Sequence, residues 1–143
     1  MISDEQRILG VDYGEVRIGL AVSDPTGTIA TPIEALDAEV RNDAKNVIEQ
    51  AEAHEASSIV VGLPLSLDGT SGPAARKVQA FCSTLRKITD IPIITWDERM
   101  SSVEAQSRLR DAGFSPTKAR GKDRGKIDSA AAAIILESYL RSK

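Results

Sequence analysis

The chain has very little sulfur or imidazole: one cysteine and one histidine in 143 residues. Cys82 alone cannot close an internal disulfide, and it falls at an apolar position of a predicted helix, so it is read as core. His54 has no second His or Cys near it and is read as surface, which leaves no basis for a zinc site or for cysteine catalysis. Aromatic residues make up only 3%, so the core must be built from aliphatics and alanine. There is no run of about 18 apolar residues and no charged-then-apolar leader with a small-residue cleavage site, which points to a cytoplasmic protein. The glycine-bearing loop 62–70 lacks the lysine of a P-loop, which disfavours nucleoside triphosphate binding by that route. Excess positive charge is missing as well. The net charge is -3, unlike that of a protein that coats nucleic acid by bulk electrostatics.

Against these absences stand a moderate apolar content of 41% and a charged content of 27%, the balance of a globular domain. The length suits one domain, residues 1–143, able to bury about two thirds of the surface its unfolded chain would expose. Charge is unevenly spread. Residues 117–126 (TKARGKDRGK) carry five basic groups, Lys118, Arg120, Lys122, Arg124 and Lys126, against the single acid Asp123. With Gly121 and Gly125 this segment reads as a mobile loop, and its bland explanation is a solvated surface.

Strand-like and helix-like periodicities alternate along the chain. Arg7–Asp12, Arg17–Ser23 and Thr28–Leu36 read as three strands joined by short turns, hence an antiparallel meander. Asn42–Glu55 has one apolar stripe of a helix, and Ser58–Gly62 is a short strand buried on both faces. A second helix opens at Pro73 with the apolar face Ala74, Val78, Phe81, Cys82, Leu85 and Ile88, and Ile91–Trp96 is a further buried strand. Ser101 and Glu104 form a capping box for a third helix to about Ala112, and a last helix runs from about Ile127 to Leu140. The predicted fold class is α/β: a mixed five-stranded sheet, antiparallel meander plus parallel strands, with helices on its faces.

In open sheets of this kind, ligands gather beyond strand ends. Asp12 ends the first strand, and Asp97 and Glu98 end the fifth. Asp128 sits in the first turn of the last helix, spaced with Ala131, Ala132 and Ile135 on the face that packs on the sheet. Its bland explanation is the helix dipole, which favours a carboxylate there. Three carboxylates at the margins of apolar elements repel one another and lose hydration unless a cation neutralises them. Oxygen-only donors select a hard ion, Mg2+ or Mn2+. Such a site activates water for in-line attack on a phosphodiester, and the basic segment then delivers its charge next to Asp128, where phosphates arrive. Arg17 and Arg99 are candidate phosphate contacts, while Asp24, in Asp-Pro-Thr-Gly, is better explained as a turn residue than as a further ligand.

Asp12-Tyr13-Gly14 with Arg17-Ile18-Gly19, Val60-Val61-Gly62-Leu63-Pro64, Asp97-Glu98-Arg99 and Ile127-Asp128 before Ala130-Ala131-Ala132 resemble, in order, the YqgF (RuvX) family of Holliday-junction-resolvase-like nucleases. The likeness spans Arg7 to Leu140. It implies an RNase H-like fold, a divalent-metal endonuclease and, in bacteria, maturation of the 5' end of the 16S ribosomal RNA precursor. It carries the catalytic and metal-binding acidic roles onto Asp12, the Asp97-Glu98 pair and Asp128. Neighbours in an extended chain point to opposite faces, so one member of the pair is expected as ligand, with Glu98 favoured. The basic residue usual in the family is replaced here by Val16. Implied partners are precursor rRNA or branched DNA, with ribosomal particles also considered and the chain a monomer or weak homodimer. A junction-cleaving enzyme and a non-catalytic nucleic-acid-binding module of the same fold are the alternatives. An actin-like or sugar-kinase ATPase, which also begins with Asp-x-Gly, needs a second similar half that 143 residues cannot hold.

Overall fold

A computed structural model describes residues 7–39, 41–66, 68–100 and 122–143, with the backbone only for Met100 and residues 122–126. The meander is β1 (Ile8–Tyr13), β2 (Arg17–Ser23) and β3 (Ala30–Asp37), followed by α1 (Asp43–Ala53), β4 (Ser58–Leu63), α2 (Pro73–Ile88) and β5 (Ile93–Asp97). A single 3-10 turn, Glu98–Met100, leaves β5, and the last described element is α3 (Lys122–Arg141). The five strands form one sheet in the order β3-β2-β1-β4-β5. Contacts β1/β2 and β2/β3 are antiparallel, whereas β1/β4 and β4/β5 are parallel. The ends of β1, β4 and β5 therefore open on the same margin, which the start of β2 shares.

The two-residue period of the strands sorts their side chains between two apolar layers. Leu9, Val11, Ile18, Leu20, Ile59 and Val61 pack with α1 and α2, the last contributing Val78, Phe81, Cys82 and Leu85. Ile8, Ala21 and Val60 pack on the other face with Ala132, Ala133, Ile135 and Leu136 of α3. Tyr13 joins the first layer by stacking on Phe81, ring centroids 4.2 Å apart. The buried α2 face includes Ala75 instead of Ala74, and Ile88, the last residue of the helix, extends past the packed stripe and is exposed. Asp24 is a turn residue: its carboxylate accepts the Thr28 and Ile29 N–H groups at 2.7 and 2.8 Å.

Two sequence expectations change. The last helix begins at Lys122, five residues before Ile127, so the second half of the basic segment is helical rather than loop. Lys and Arg are good helix formers, and one internal glycine, Gly125, costs only about 1 kcal/mol against Ala. Asp128 consequently lies nearly two turns inside α3. The N-terminal dipole, which acts within the first turn, no longer accounts for it. The predicted helix from Ser101 to Ala112, with its capping box, falls outside the described residues.

The α3 face of the sheet carries glycines at positions 10, 19 and 62 beside Ile8, Ala21 and Val60, and the glycines set how closely the helix approaches. A side-chain carbon at Gly19 would overlap the backbone carbonyl of Asp128, and one at Gly62 would stand 2.6 Å from Ile135 Cδ1 and 3.0 Å from Glu98 Cγ. The register of β2 on β3 shifts between Ile18 and Leu20, around Gly19. Gly19→Ala should therefore cost about 1–3 kcal/mol through overpacking, read as a lower urea midpoint. Gly72→Ser, where the nearest atom is 3.8 Å away, should be neutral or stabilising because it adds an N-cap hydroxyl to α2. Equal midpoints for wild type and Gly19→Ala would show that α3 does not need this close approach.

Candidate active site

Period-2 alternation decides where Asp12 points. Val11 packs toward α1 and α2, and Gly10 lies against Leu136 and Ala132 of α3, so Asp12 belongs to the α3 side. Its register partner on β2 is Gly19, the residue on which Asp128 rests. From the other side, the 3-10 turn after β5 brings Glu98 against Gly62 at the end of β4. Strand ends and a helix thus bring Asp12, Glu98 and Asp128 into one neighbourhood from three separate parts of the chain.

Electrostatics record this convergence. The Asp12 carboxyl is raised from 3.8 to about 7, chiefly by burial, then by the negative charges of Glu98 and Asp128. Part of the residue still touches solvent, so water retains access to the site. Glu98 is also raised, by burial first and by Asp97 second. Like charges in a poorly hydrated place disfavour ionisation, and both effects act here in the same direction.

Asp128 is held differently. Arg17 Nε donates to its Oδ2 at 3.1 Å, with the two side chains 24% and 32% exposed. Next to it Ser129, only 3% exposed, takes the Leu20 N–H on its hydroxyl at 3.5 Å. These two contacts tie α3 to β2 across more than a hundred residues of sequence. Their signal in the sequence is slight: one serine in an alanine-rich helical face, and an arginine whose acid partner is distant. Arg17, expected at a phosphate, is thus placed on a proposed ligand.

The Asp97-Glu98 pair divides. Asp97 accepts the Arg99 N–H at 2.9 Å, Arg99 Nε at 2.9 and 3.1 Å and Arg99 Nη2 at 2.7 Å, and these bonds hold it below the usual carboxylate range. Glu98 turns toward Gly62 instead. Arg99 also lies over Gly69, whose φ of 86° is a conformation glycine adopts without strain. That loop is knit by Asp68, which accepts the Thr70 N–H and hydroxyl at 3.0 and 2.7 Å. Val16 is 67% exposed on the β1–β2 turn, offering no charge at the rim. Lys118 and Arg120 lie outside the described residues, as do the side chains of Lys122, Arg124 and Lys126.

Among the described residues no three acid, imidazole or thiol groups already stand close enough to hold a metal ion. Arg17 takes one oxygen of Asp128, and uncompensated carboxylates do not converge on their own. The donor chemistry nonetheless suits a hard cation: all oxygen, negatively charged, with Asp12 reluctant to ionise without a counter-ion.

The family model described as RuvX, Holliday junction resolvase, matches residues 6–142. A protein of Anaeromyxobacter sp. (strain K) named "Putative pre-16S rRNA nuclease" is 43% identical over 138 residues, covering 94% of this chain and 96% of its own. A protein of the same name from Roseiflexus sp. (strain RS-1) is 39% identical over 144 residues, covering 100% and 99%. Among solved structures, Thermus thermophilus RuvC in complex with a Holliday junction substrate matches at a TM-score of 0.58 and 15% identity, covering 96% of both chains. The large terminase nuclease of the thermophilic phage G20c matches at 0.54 and 15% identity over 91% of this chain and 81% of that one. At such identities these likenesses speak to the fold, which is RuvC-like and of the RNase H type.

The raised Asp12 makes a prediction about stability. Native Asp12 keeps its proton to about pH 7 while the unfolded chain releases it near 3.8, so stability contributed by this group falls as pH rises through that window. Asp12→Asn removes the penalty. In chelator, the variant should be more stable than wild type by roughly 1–3 kcal/mol at pH 8 and indistinguishable at pH 4. Urea melts at the two pH values test this, and a difference that is the same at both would contradict it.

Proposed function

The chain belongs to the RuvX family, and from this and its carboxylate site we propose that it is a divalent-metal-dependent endonuclease that helps mature the 5' end of the 16S ribosomal RNA precursor. The observation that carries the reading is Asp12, forced up in pKa beside Glu98 and Asp128 at the margin where β1, β4 and β5 end. The substrate follows the name shared by full-length relatives at about 40% identity.

In this reading Asp12, Glu98 and Asp128 are the metal ligands, and Asp97 fixes Arg99. The ion they would hold, Mg2+ or Mn2+, would supply a nucleophilic water and stabilisation of the leaving oxygen. The protein's own part is to hold three acids from rigid elements in one place and to keep the rim basic. Arg17, Arg99 and the lysines and arginines of 118–126 approach the phosphates, with Lys122, Arg124 and Lys126 on the opening turns of α3 leading toward Asp128. Phosphate contacts position a substrate without reading its identity, so the same site serves RNA or branched DNA, and the family description favours junction cleavage as the second reading. No helix among the described residues is long and apolar enough to cross a membrane, and we place the protein in the cytoplasm with precursor ribosomal particles.

Purified protein should cut precursor rRNA carrying the 16S 5' flank in Mg2+ or Mn2+ and not in chelator. Asp12→Asn and Asp128→Asn should each lose at least ~100-fold, the scale of removing one preorganised electrostatic group. Asp97→Asn, which keeps the ligands, should stay within about tenfold. A four-way DNA junction run alongside decides the substrate: cleavage of the junction alone moves the assignment to the second reading. Absence of cleavage on both substrates in either metal would leave a non-catalytic binding module.

A further inference from the structure

Building on the nuclease reading, we propose that the outer face of α2 is a second contact surface for the substrate, holding the phosphate backbone of the RNA where it passes beyond the margin that carries the acids. Between Asp68 and Asp90 the chain has no acid, and this stretch carries Arg76, Lys77, Arg86 and Lys87, all within α2. Their excess of four positive charges matches that of residues 117–126, in a chain of net charge -3. Helical spacing then places them. Val78, Phe81, Cys82 and Leu85 pack toward the sheet, so at about 3.6 residues per turn Arg76, Ala80, Ser83 and Lys87 form the crest on the opposite side. All four are exposed. The two cations stand about 16 Å apart along the axis, about five steps of one duplex strand at roughly 3.4 Å each. Only alanine and serine lie between them on the crest, so a nucleic-acid backbone can approach closely.

The crest is continuous with the candidate site. α2 follows the loop that leaves β4 at the shared margin, and Lys77, flanking the crest, meets Glu15 of the β1–β2 turn at 2.6 Å. On the other flank Arg86 Nη2 donates to the Ile93 carbonyl at 3.0 Å, which holds that guanidinium against β5. Stability of the helix does not explain the whole pattern. Cations suit a helix C-terminus, which accounts for Arg86 and Lys87 in the last turn, but they are disfavoured at the N-terminal end where Arg76 stands. The first turn has no acid to offset it, and among the described residues neither Arg76 nor Lys87 is in an ion pair. A second copy of this chain would bring like charge to the same face, whereas a polyanion complements it.

Binding of an RNA carrying the 16S 5' flank, about 25 nucleotides and so longer than one fold covers, tests this by fluorescence anisotropy at several salt concentrations. Chelator is present throughout, so that nothing is cut. The double variant Arg76→Gln with Lys87→Gln should bind about tenfold or more less tightly, and its plot of log Kd against log salt should be shallower by about two. Arg76→Lys with Lys87→Arg, which keeps both charges, should stay within about twofold of wild type and keep its slope, because counterion release follows charge. Lys45→Gln, an exposed cation of α1 away from the crest, should change neither quantity, and thermal melts establish that every variant is folded. A double variant with wild-type affinity and slope would overturn the inference. So would an equal loss in Lys45→Gln, which would make the effect one of bulk charge, or a wild-type dimer in sedimentation that the double variant disperses, which would assign the crest to a second copy. Wild type that does not bind the RNA at all would instead remove the nucleic-acid reading on which the inference rests.

Discussion

Burial of the Asp12 carboxyl beside Glu98 and Asp128 is the constraint around which the rest of the structure is arranged. A fold left to itself separates like charges or hydrates them. Here α3 is pressed onto a sheet face that carries Gly10, Gly19 and Gly62 among its apolar residues, and Gly19 admits the Asp128 backbone where any side chain would collide. The consequence is a carboxyl at Asp12 raised to about 7, an arrangement unfavourable in the protein alone that a cation would relieve. The two apolar layers supply the stability to hold it. Ile8, Val60, Ile135 and Leu136 on one side and Leu9, Val11, Ile59 and Leu85 on the other bury the strands that carry the acids.

Much of this was legible in the sequence because strands and acids both announce themselves. Short aliphatic runs with tight turns gave the meander, and the acids after Val11 and Trp96 stood out against them. Among the described residues, element order followed from periodicity, and the shared margin of the strand ends from connection rules. Contacts between distant segments were less visible. Nothing local to Arg17 says that it meets an acid on a helix 111 residues away, and nothing in Asp97-Glu98 says that the following arginine captures the first acid. The start of α3 was misplaced because two glycines in a basic stretch read as loop, whereas helix formers around Gly125 carry the helix through it. That error mattered chemically: with Asp128 nearly two turns inside the helix, a dipole role no longer explains it.

Membership of the RuvX family and the RuvC-like fold place this chemistry in a familiar setting, yet the chain has its own features. Val16 puts an apolar side chain on the exposed turn beside Arg17, thinning the positive rim. Arg99 is held by Asp97 and seated over Gly69, which makes it a preorganised donor whose direction is set before substrate arrives. Arg17 joins the acidic cluster itself. Near the site, basic charge is thus carried by Arg17 and Arg99 and by Lys122, Arg124 and Lys126 of the opening turns of α3, within a chain that is acidic overall. Such a placing would steer phosphates to one margin without making the whole surface adhesive.

The central claim is that Asp12 is kept near neutrality chiefly by burial and then by its acidic neighbours, and that a bound cation would ionise it. Side-chain carboxyl 13C NMR titration of Asp12 measures this directly. Without metal its midpoint should lie near the value of about 7 given by its surroundings, and saturating Mg2+ should move it down by two or more pH units, about 3 kcal/mol of stabilisation of the ionised form. An Asp12 that titrates near 4 in the absence of metal, or a midpoint that Mg2+ leaves unmoved, would contradict the account.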